Sequence, residues 1–311
     1  MNLIIDNLEG QNVDASLRTA KISFETSLDN VYSTFKFDLP YDYYEENKIK
    51  VFSRVFASSG SDFGFIGIVI NTDMSNIERV TLTAVSNSWY ISTFEELIKV
   101  KNFRADKVIE ETLSRYDSEF KVETIPLQNT ITKIYKSQSI IGIIDDVIRQ
   151  SEGAIGKKIY RTFENEVLKI FTDPEAYELD LTYAISNLKL SYNGEDIKTQ
   201  IKVYTEEKKK ISVEAIKKNI ELAKKAGVIQ KVETIKAVDK KQADLVAENL
   251  LKVYGQIKRS GSFTLFGDYK ARVGMGVTVE GNDYIISGLK HTIEDEIHLM
   301  SVSVIAYEKG N

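Results

Sequence analysis

A chain of 311 residues, 42% hydrophobic and 28% charged, carries enough apolar surface for more than one core, which excludes a disordered chain and fits two or three domains. The absence of cysteine excludes a disulfide framework and any thiolate nucleophile or ligand. A formal charge of -5 speaks against a phosphate-binding surface, and no apolar run approaches the roughly 20 residues that span a bilayer, so neither nucleic-acid binding nor stable membrane insertion is expected.

In chain order, the opening MNLIIDNLEGQNV lacks the basic and long apolar regions of a signal peptide, and the first third then alternates as a half-buried sheet does. In AKISFETSL, Ala20, Ile22 and Phe24 point one way and Lys21, Ser23 and Glu25 the other. In STFKFDLP, Phe35, Phe37 and Leu39 repeat the pattern until Pro40, which has no N–H for a ladder, ends it. KIKVFSRVF, FGFIGIVIN and ERVTLTAVS follow at short spacing, with turn formers such as Ser59 and Gly60 between them, the rhythm of a small antiparallel barrel or sandwich. Residues 1–94 are expected to form one β domain.

From Trp89 the period turns helical. Ala105, Val108, Ile109, Thr112 and Leu113 share one face of RADKVIEETLSRY; Ile140, Ile143, Ile144, Val147 and Ile148 share one face of SIIGIIDDVIRQS, with Gly153 and Gly156 placed to close that helix. KKIYRTFENEVLKIF then reads as a hairpin turning near Glu164 and Asn165. A small α/β insert is expected over 95–176, closed by Pro174.

The remainder, 177–311, is strand-rich again with two helical patterns. VDKKQADLVAENLLKVYG sets Ala243, Val246, Ala247, Leu250, Leu251 and Tyr254 at helical spacing, a packed helix near 239–254 with Asp239 as N-cap and Gly255 as stop. TEEKKKISVEAIKKNIELAKKAG reads as a second, amphipathic helix, Val213, Ile216, Ile220 and Ala223 lying opposite its lysines. Glu206, Glu207, Glu214 and Glu221 dilute its basic character and favour a solvated face over a membrane or nucleic-acid helix.

No catalytic constellation assembles. The chain has no Cys, no G-x-S-x-G and no G-x-x-x-x-G-K-[ST]. The glycines of GDYKARVGMGVTVEG lie between strands with no helix following, so they read as turn and bulge glycines and not as a dinucleotide fingerprint. Asp145 with Asp146, and Glu95 with Glu96, are sequence neighbours that cannot face each other across a glycosidic bond. The two histidines, His291 and His298, both fall in YIISGLKHTIEDEIHLMSVSVIAY. A hairpin turn centred on Asp295 and Glu296 sets His291 opposite Met300 and His298 opposite Ile293, with the imidazoles on one face as a diagonal pair about 7 to 8 Å apart at Cα; a one-residue slip separates them. A metal would need further ligands on that face while the turn acids point to solvent, so the histidines are expected to be structural and no catalytic, cofactor-binding or metal residue is assigned.

The order AGVIQKVETI, KKQADLVAENLLKVYG, FGDYKARVGMGVTVEG and DYIISGLKHTIEDEIHLMSVSVIAY resembles that of the baseplate hub family of contractile phage tails, phage-like (R-type) bacteriocins and defective prophages. Gly227, Val228, Ile229 and Gln230 stand at its glycine-aliphatic-Gln turn, Gly267, Asp268 and Gly276 at its strand markers, and His291, His298 and Met300 at its histidine strand and returning H-x-M strand. KNFRADKVIEETLSRYDSEFKV and QSIIGIIDDVIRQSEGAIGKKIYRTFENEVLKIF resemble its two short helices, each followed by strand, and FIGIVIN a strand of its first barrel. Ala226 departs from the pattern, which often has an aromatic there.

The resemblance implies an α+β, mainly β fold, with two small antiparallel β-barrel tube domains at 1–94 and 177–311 and the α/β insert outside them. It implies a structural hub without enzymatic activity or cofactor, a homotrimeric symmetry adaptor joining the hexameric tail tube to the central spike. Other baseplate proteins would be further partners, and assembly would take place in the bacterial cytoplasm, into a virion or bacteriocin baseplate. The alternatives are a tail-associated cell-wall hydrolase, which needs a carboxylate or metal site, and a carbohydrate-binding module, which needs exposed aromatics. The 16 tyrosines and 14 phenylalanines instead alternate within strands, and Trp89 is the single tryptophan.

Overall fold

The structure, a computed structural model, describes residues 1–74, 78–116, 119–181, 188–207, 210–235 and 240–307. Its first part is strand-built: β1 (Asn2–Asp6), β2 (Asn12–Asp14), β3 (Lys21–Ser27), β4 (Thr34–Pro40), a short helix α1 (Tyr41–Glu46), β5 (Arg54–Ser59), β6 (Phe63–Asp73) and β7 (Arg79–Ser86). Phe35, Phe37 and Leu39 are buried, as their alternation requires, and Ile22 pairs with Phe37 and Phe24 with Phe35 between β3 and β4. Pro40 is the last residue of β4. The KIKV stretch lies in the turn before β5 and not in a strand, with Lys48 and Phe52 at positive φ (51° and 75°).

The middle holds α2 (Trp89–Thr93), β8 (Glu95–Arg104), α3 (Ala105–Ser114), β9 (Lys121–Thr124), β10 (Thr130–Ser139), α4 (Ile140–Ile155), β11 (Tyr160–Glu164) and β12 (Val167–Phe171). Every apolar-face residue read for α3 and α4 is buried, together with Leu127, Ile131, Tyr135, Leu168 and Ile170. Ser139 caps α4 by accepting from the Gly142 N–H, and Gly156, at φ 72°, ends it. Gly153 does not close the helix. It sits inside α4, facing Leu250 and Val246 of a second helix, where a Cβ would make ordinary contact at 3.4 Å. The β11–β12 turn places Asn165 and Glu166 at φ 44° and 67°, the left-handed pair that matches strand twist.

The last part contains β13 (Lys189–Asn193), β14 (Gln200–Glu207), β15 (Lys210–Lys218), α5 (Ile220–Ala226), β16 (Gln230–Ile235), α6 (Lys240–Tyr254), β17 (Lys258–Phe266), β18 (Gly276–Val279), β19 (Asn282–Glu294) and β20 (Ile297–Ala306). In α6, Ala243, Ala247 and Leu250 are buried, with Val246, Leu251 and Tyr254 packed beside them. The helix stops at Gly255, whose N–H reaches the Leu251 carbonyl at 2.8 Å; Asp239 lies outside the described residues. It covers β14 and β15 and packs on α4, not on the strands β17–β20.

The second amphipathic helix is not formed as read: Val213 and Ile216 lie in β15, antiparallel to β14, and only Ile220–Ala226 is helical. The cause is a bulge. Val203 pairs with Ala215 but the next residue, Tyr204, pairs with Val213, so Glu214 is extra and Val213 and Ile216 emerge on the same face. Three-residue spacing across a bulged strand imitates a helical repeat.

Neither β half closes into a barrel. The strands form one open sheet in the order β13-β17-β20-β19-β3-β4-β7-β6-β5-β1-β2, with β18 beside β19. β3 bonds β4 on one edge and offers the other to β19 instead of turning back toward β2. The 13-residue β19 is long enough to hold β18 along its first part and β3 along its second, with β20 on the opposite edge. Alternation fixes which face of a strand is apolar but not which strand takes its edge, so a barrel rhythm in sequence is equally the rhythm of this continuous sheet. Three further sheets, β8–β10, β9–β11–β12 and β14–β15–β16, are separate from it.

Candidate functional site

Among the described residues, β3 with β19 is the strand pairing that joins β1–β7 to the C-terminal strands, and both histidines lie there. The β19–β20 turn has Asp295 and Glu296 at φ 50° and 65°, His291 opposite Met300 and Ile293 opposite His298, the register read from sequence. Across the joint, His291 pairs with Phe24. The imidazoles converge, His291 Nδ1 lying 3.0 Å from His298 Nε2, so one ring donates and the other accepts. Tyr269, from the loop after β17, covers both rings at centroid distances of 5.3 and 4.3 Å and meets Phe63 of the first half at 4.9 Å; Phe63 meets Phe24 edge-on at 5.0 Å. A run of aromatic rings thus crosses the joint, each pair adding a directional contact to its burial.

The electrostatics suit a neutral pair. Burial, then the neighbouring His298 and Arg272, drives His291 down to about 4, against the opposing pull of Asp268. Burial lowers His298 too, again with Asp268 opposing. Arg272 donates to the Asp62 carbonyl at 2.8 Å, a further tie between halves, and Asp268 accepts from the Tyr177 hydroxyl and from the Lys270 N–H at 2.9 Å. No group of three or more His, Cys, Asp or Glu among the described residues could hold a metal ion.

Gly267 explains the glycine in FGD. A Cβ there would fall 2.1 Å from His298 Nδ1, so the ring occupies the space a side chain would need. Gly267→Ala is expected to destabilise the protein by about 1–3 kcal/mol, the usual range for overpacking, measured by urea unfolding. In a His298→Ala background the same change should cost much less; an equal cost in both backgrounds would place the strain elsewhere.

Of the other residues carried by the resemblance, Met300 is fully buried among the C-terminal strands and Gly276 opens β18 against Pro174. Gly227, at φ 81°, ends α5, and Ile229 N–H and the Gly227 carbonyl both bond the Thr199 hydroxyl. Val228 and Gln230 remain exposed. These positions are dispersed: the joint unites Gly267, Asp268, His291, His298 and Met300, while 227–230 belong to the β14–β16 unit.

A second constellation, around α4, has no counterpart in the sequence motifs. Asp146 is buried and accepts from Tyr135 (2.9 Å), Gln150 (2.7 Å), Arg149 (2.5 Å) and Lys133 (2.9 Å). Burial works to raise its pKa, but these donors together hold it below the usual carboxylate range. Arg149 also forks onto Glu233 of β16 at 3.0 and 3.1 Å, Tyr254 of α6 donates to the buried Glu152 at 3.0 Å, and Asn249 donates to the Gly153 carbonyl at 3.1 Å. Its chemistry is that of a clamp between α4 and the β14–β16 unit, each of these charges having a partner. Asp145, by contrast, is exposed and pairs with Arg161. The one legible signal was the adjacency of two acids on α4, and only packing turns one of them inward.

No curated protein matches the chain. Among solved structures it is similar to the 43 kDa tail protein of prophage MuSo2 from Shewanella oneidensis, with a TM-score of 0.67 at 11% identity, covering 98% of each chain. It is similar to the prophage tail protein gp18 from Listeria monocytogenes, with a TM-score of 0.62 at 12% identity over 97% of this chain and 94% of that one. A third similar structure is the E. coli c3393 protein, a type VI secretion component described as structurally similar to T4 bacteriophage tail proteins gp27 and gp5, with a TM-score of 0.58 at 9% identity over 94% of this chain and 74% of that one. These identities establish a shared fold, and the resemblance to phage baseplate proteins read from the sequence agrees with it. Since the family model described as YQBQ-like matches residues 22–305, nearly the whole chain, the protein belongs to the YQBQ-like family and has the fold of phage tail proteins.

Proposed function

We propose that the chain is the structural hub of a contractile-tail or phage-like bacteriocin baseplate, a homotrimer that adapts a hexameric tail tube to a central spike and performs no catalysis. The observation that carries this is the continuous open sheet. Each copy brings two β halves fixed together at β3–β19, so three copies present six halves to a sixfold tube. Among the described residues, the sheet also ends in edges that a lone molecule leaves open. β13 is exposed along its whole length, Leu190 and Tyr192 included, and is the terminal strand at one end of the sheet. Such an edge pairs readily with another chain and is satisfied when copies close into a ring. The tail-protein fold supports the same role, with assembly in the bacterial cytoplasm and incorporation into a baseplate.

Light scattering over a concentration series should give a mass three times 35.2 kDa, rising to a stacked complex when tail tube protein is added. A chain that stays monomeric and ignores both tube and spike would sink the hub assignment.

A further inference from the structure

The β14–β16 unit differs in charge from the rest of the chain. From Lys198 to Lys241 there are 13 lysines against 6 acids, a formal +7, which leaves -12 on the remaining residues of a chain whose total is -5. The unit's three-stranded sheet has one face covered by α6, where Ile201, Val203 and Ala215 meet Ala243, Ala247 and Leu250. On its other face, several of the described side chains are exposed. Ile216 and Val232 flank Lys202, and Val213 pairs beside Tyr204, on whose ring Lys202 lies at 5.1 Å. Val213, Ile216 and Val232 are exposed, the least of them by 47%, as are Ile220 and Val228 at either end of α5. Lys218, Lys224 and Lys225 are exposed beside them, and α5 buries none of its residues. Exposed apolar side chains interleaved with lysines, Lys202 on the central strand among them, are the build of an interface, not of a solvated face, which would be polar throughout.

We propose that this face docks onto the acidic body of a neighbouring copy of the same chain, making a head-to-tail contact between copies. The charge asymmetry selects this occupant. A contact between two such faces would bring lysine against lysine, whereas the remainder of a second copy carries the opposite sign and is present at equal concentration during assembly. The proposal rests on the self-assembly named above but not on its being threefold. The contact complements the edge pairing at β13, because the basic unit lies outside the open sheet.

Full-length protein labelled with 15N is mixed with unlabelled protein, assembled, and treated with a carbodiimide that joins lysine to a touching carboxylate. Mixed-isotope links from Lys218, Lys224 or Lys225 to acids outside 198–241 are expected. The triple variant Lys218→Glu, Lys224→Glu and Lys225→Glu should self-associate at least tenfold more weakly, with a reduced salt dependence, while its urea unfolding stays close to wild type. A trimer that forms without mixed-isotope links, or whose association the triple variant leaves unchanged, overturns the contact and spares the hub assignment. Mixed-isotope links in an assembly that is not threefold keep the contact and sink the trimer. Capture of anionic vesicles or of a spike protein by these lysines, with no links between copies, also overturns it.

Discussion

Replacing Leu250 with Asp is expected to leave no soluble folded protein. Leu250 is 1% exposed at the meeting point of α6, the β14–β15 sheet and α4, and its side chain lies against the position left open by Gly153. The substitution removes a buried branched chain, worth about 2–5 kcal/mol in large-to-small changes, and adds a carboxylate whose burial costs several kcal/mol more. The clamp cannot absorb that charge, since Arg149, Lys133 and Lys158 already hold Asp146, Glu233 and Glu152. Leu245→Asp is the control, on the same helix but exposed, and should alter stability by less than about 0.5 kcal/mol. Soluble expression and thermal unfolding of the two variants decide the matter. A Leu250→Asp protein melting like wild type would mean that α6 is not docked there.

Between pH 6.5 and 4 the protein should lose stability through its two histidines. In the folded state His291 stays neutral down to about pH 4, whereas in the unfolded chain it takes up a proton near 6.5. The unfolded state therefore binds more protons in this window, and stability is full above pH 6.5 and falls as pH drops toward 4. A shift of this size corresponds to roughly 3 kcal/mol, and His298, also lowered, acts in the same direction. Carboxylates held down by partners, such as Asp146 and Asp106, lose their contribution only at lower pH, as pH falls through their depressed folded values. With two histidines in 311 residues, no other side chain has its ordinary titration in the upper part of the window. Urea unfolding at pH 7, 6, 5 and 4.5 should show the slope, and His291→Gln with His298→Gln should flatten it even where that variant is less stable at pH 7. A wild-type stability unchanged from pH 7 to 5 would show that the pair is not buried and neutral as described.

Local periodicities and turns are written in the chain itself. The apolar faces of α3, α4 and α6 could be read directly because 3.6-residue spacing has one common cause, burial against a neighbour. The histidine hairpin could be read because a two-residue turn fixes register, and register fixes which side chains are paired. Composition alone excludes thiolate chemistry, and the lack of a G-x-x-x-x-G-K-[ST] motif excludes a phosphate loop of that kind.

The partners of strand edges, by contrast, were set by long-range packing. The strand pattern of residues 1–94 suits a closed barrel as well as a half-sheet, and β3 ends up bonded to β19 across more than 250 residues of chain because β19 is long enough to serve two partners. The same non-local choice made β15 a strand: its bulge at Glu214 gave Val213 and Ile216 a helical spacing that the ladder to β14 overrode. Asp146 was legible only as one of two adjacent acids. It became a buried, fully partnered carboxylate because α4 packs with that side toward Tyr135 and Lys133, while Asp145, one residue earlier, faces solvent. Backbone period is a property of neighbours in sequence, whereas edge pairing and the burial of a charge depend on which distant segments arrive, and no local pattern encodes that arrival.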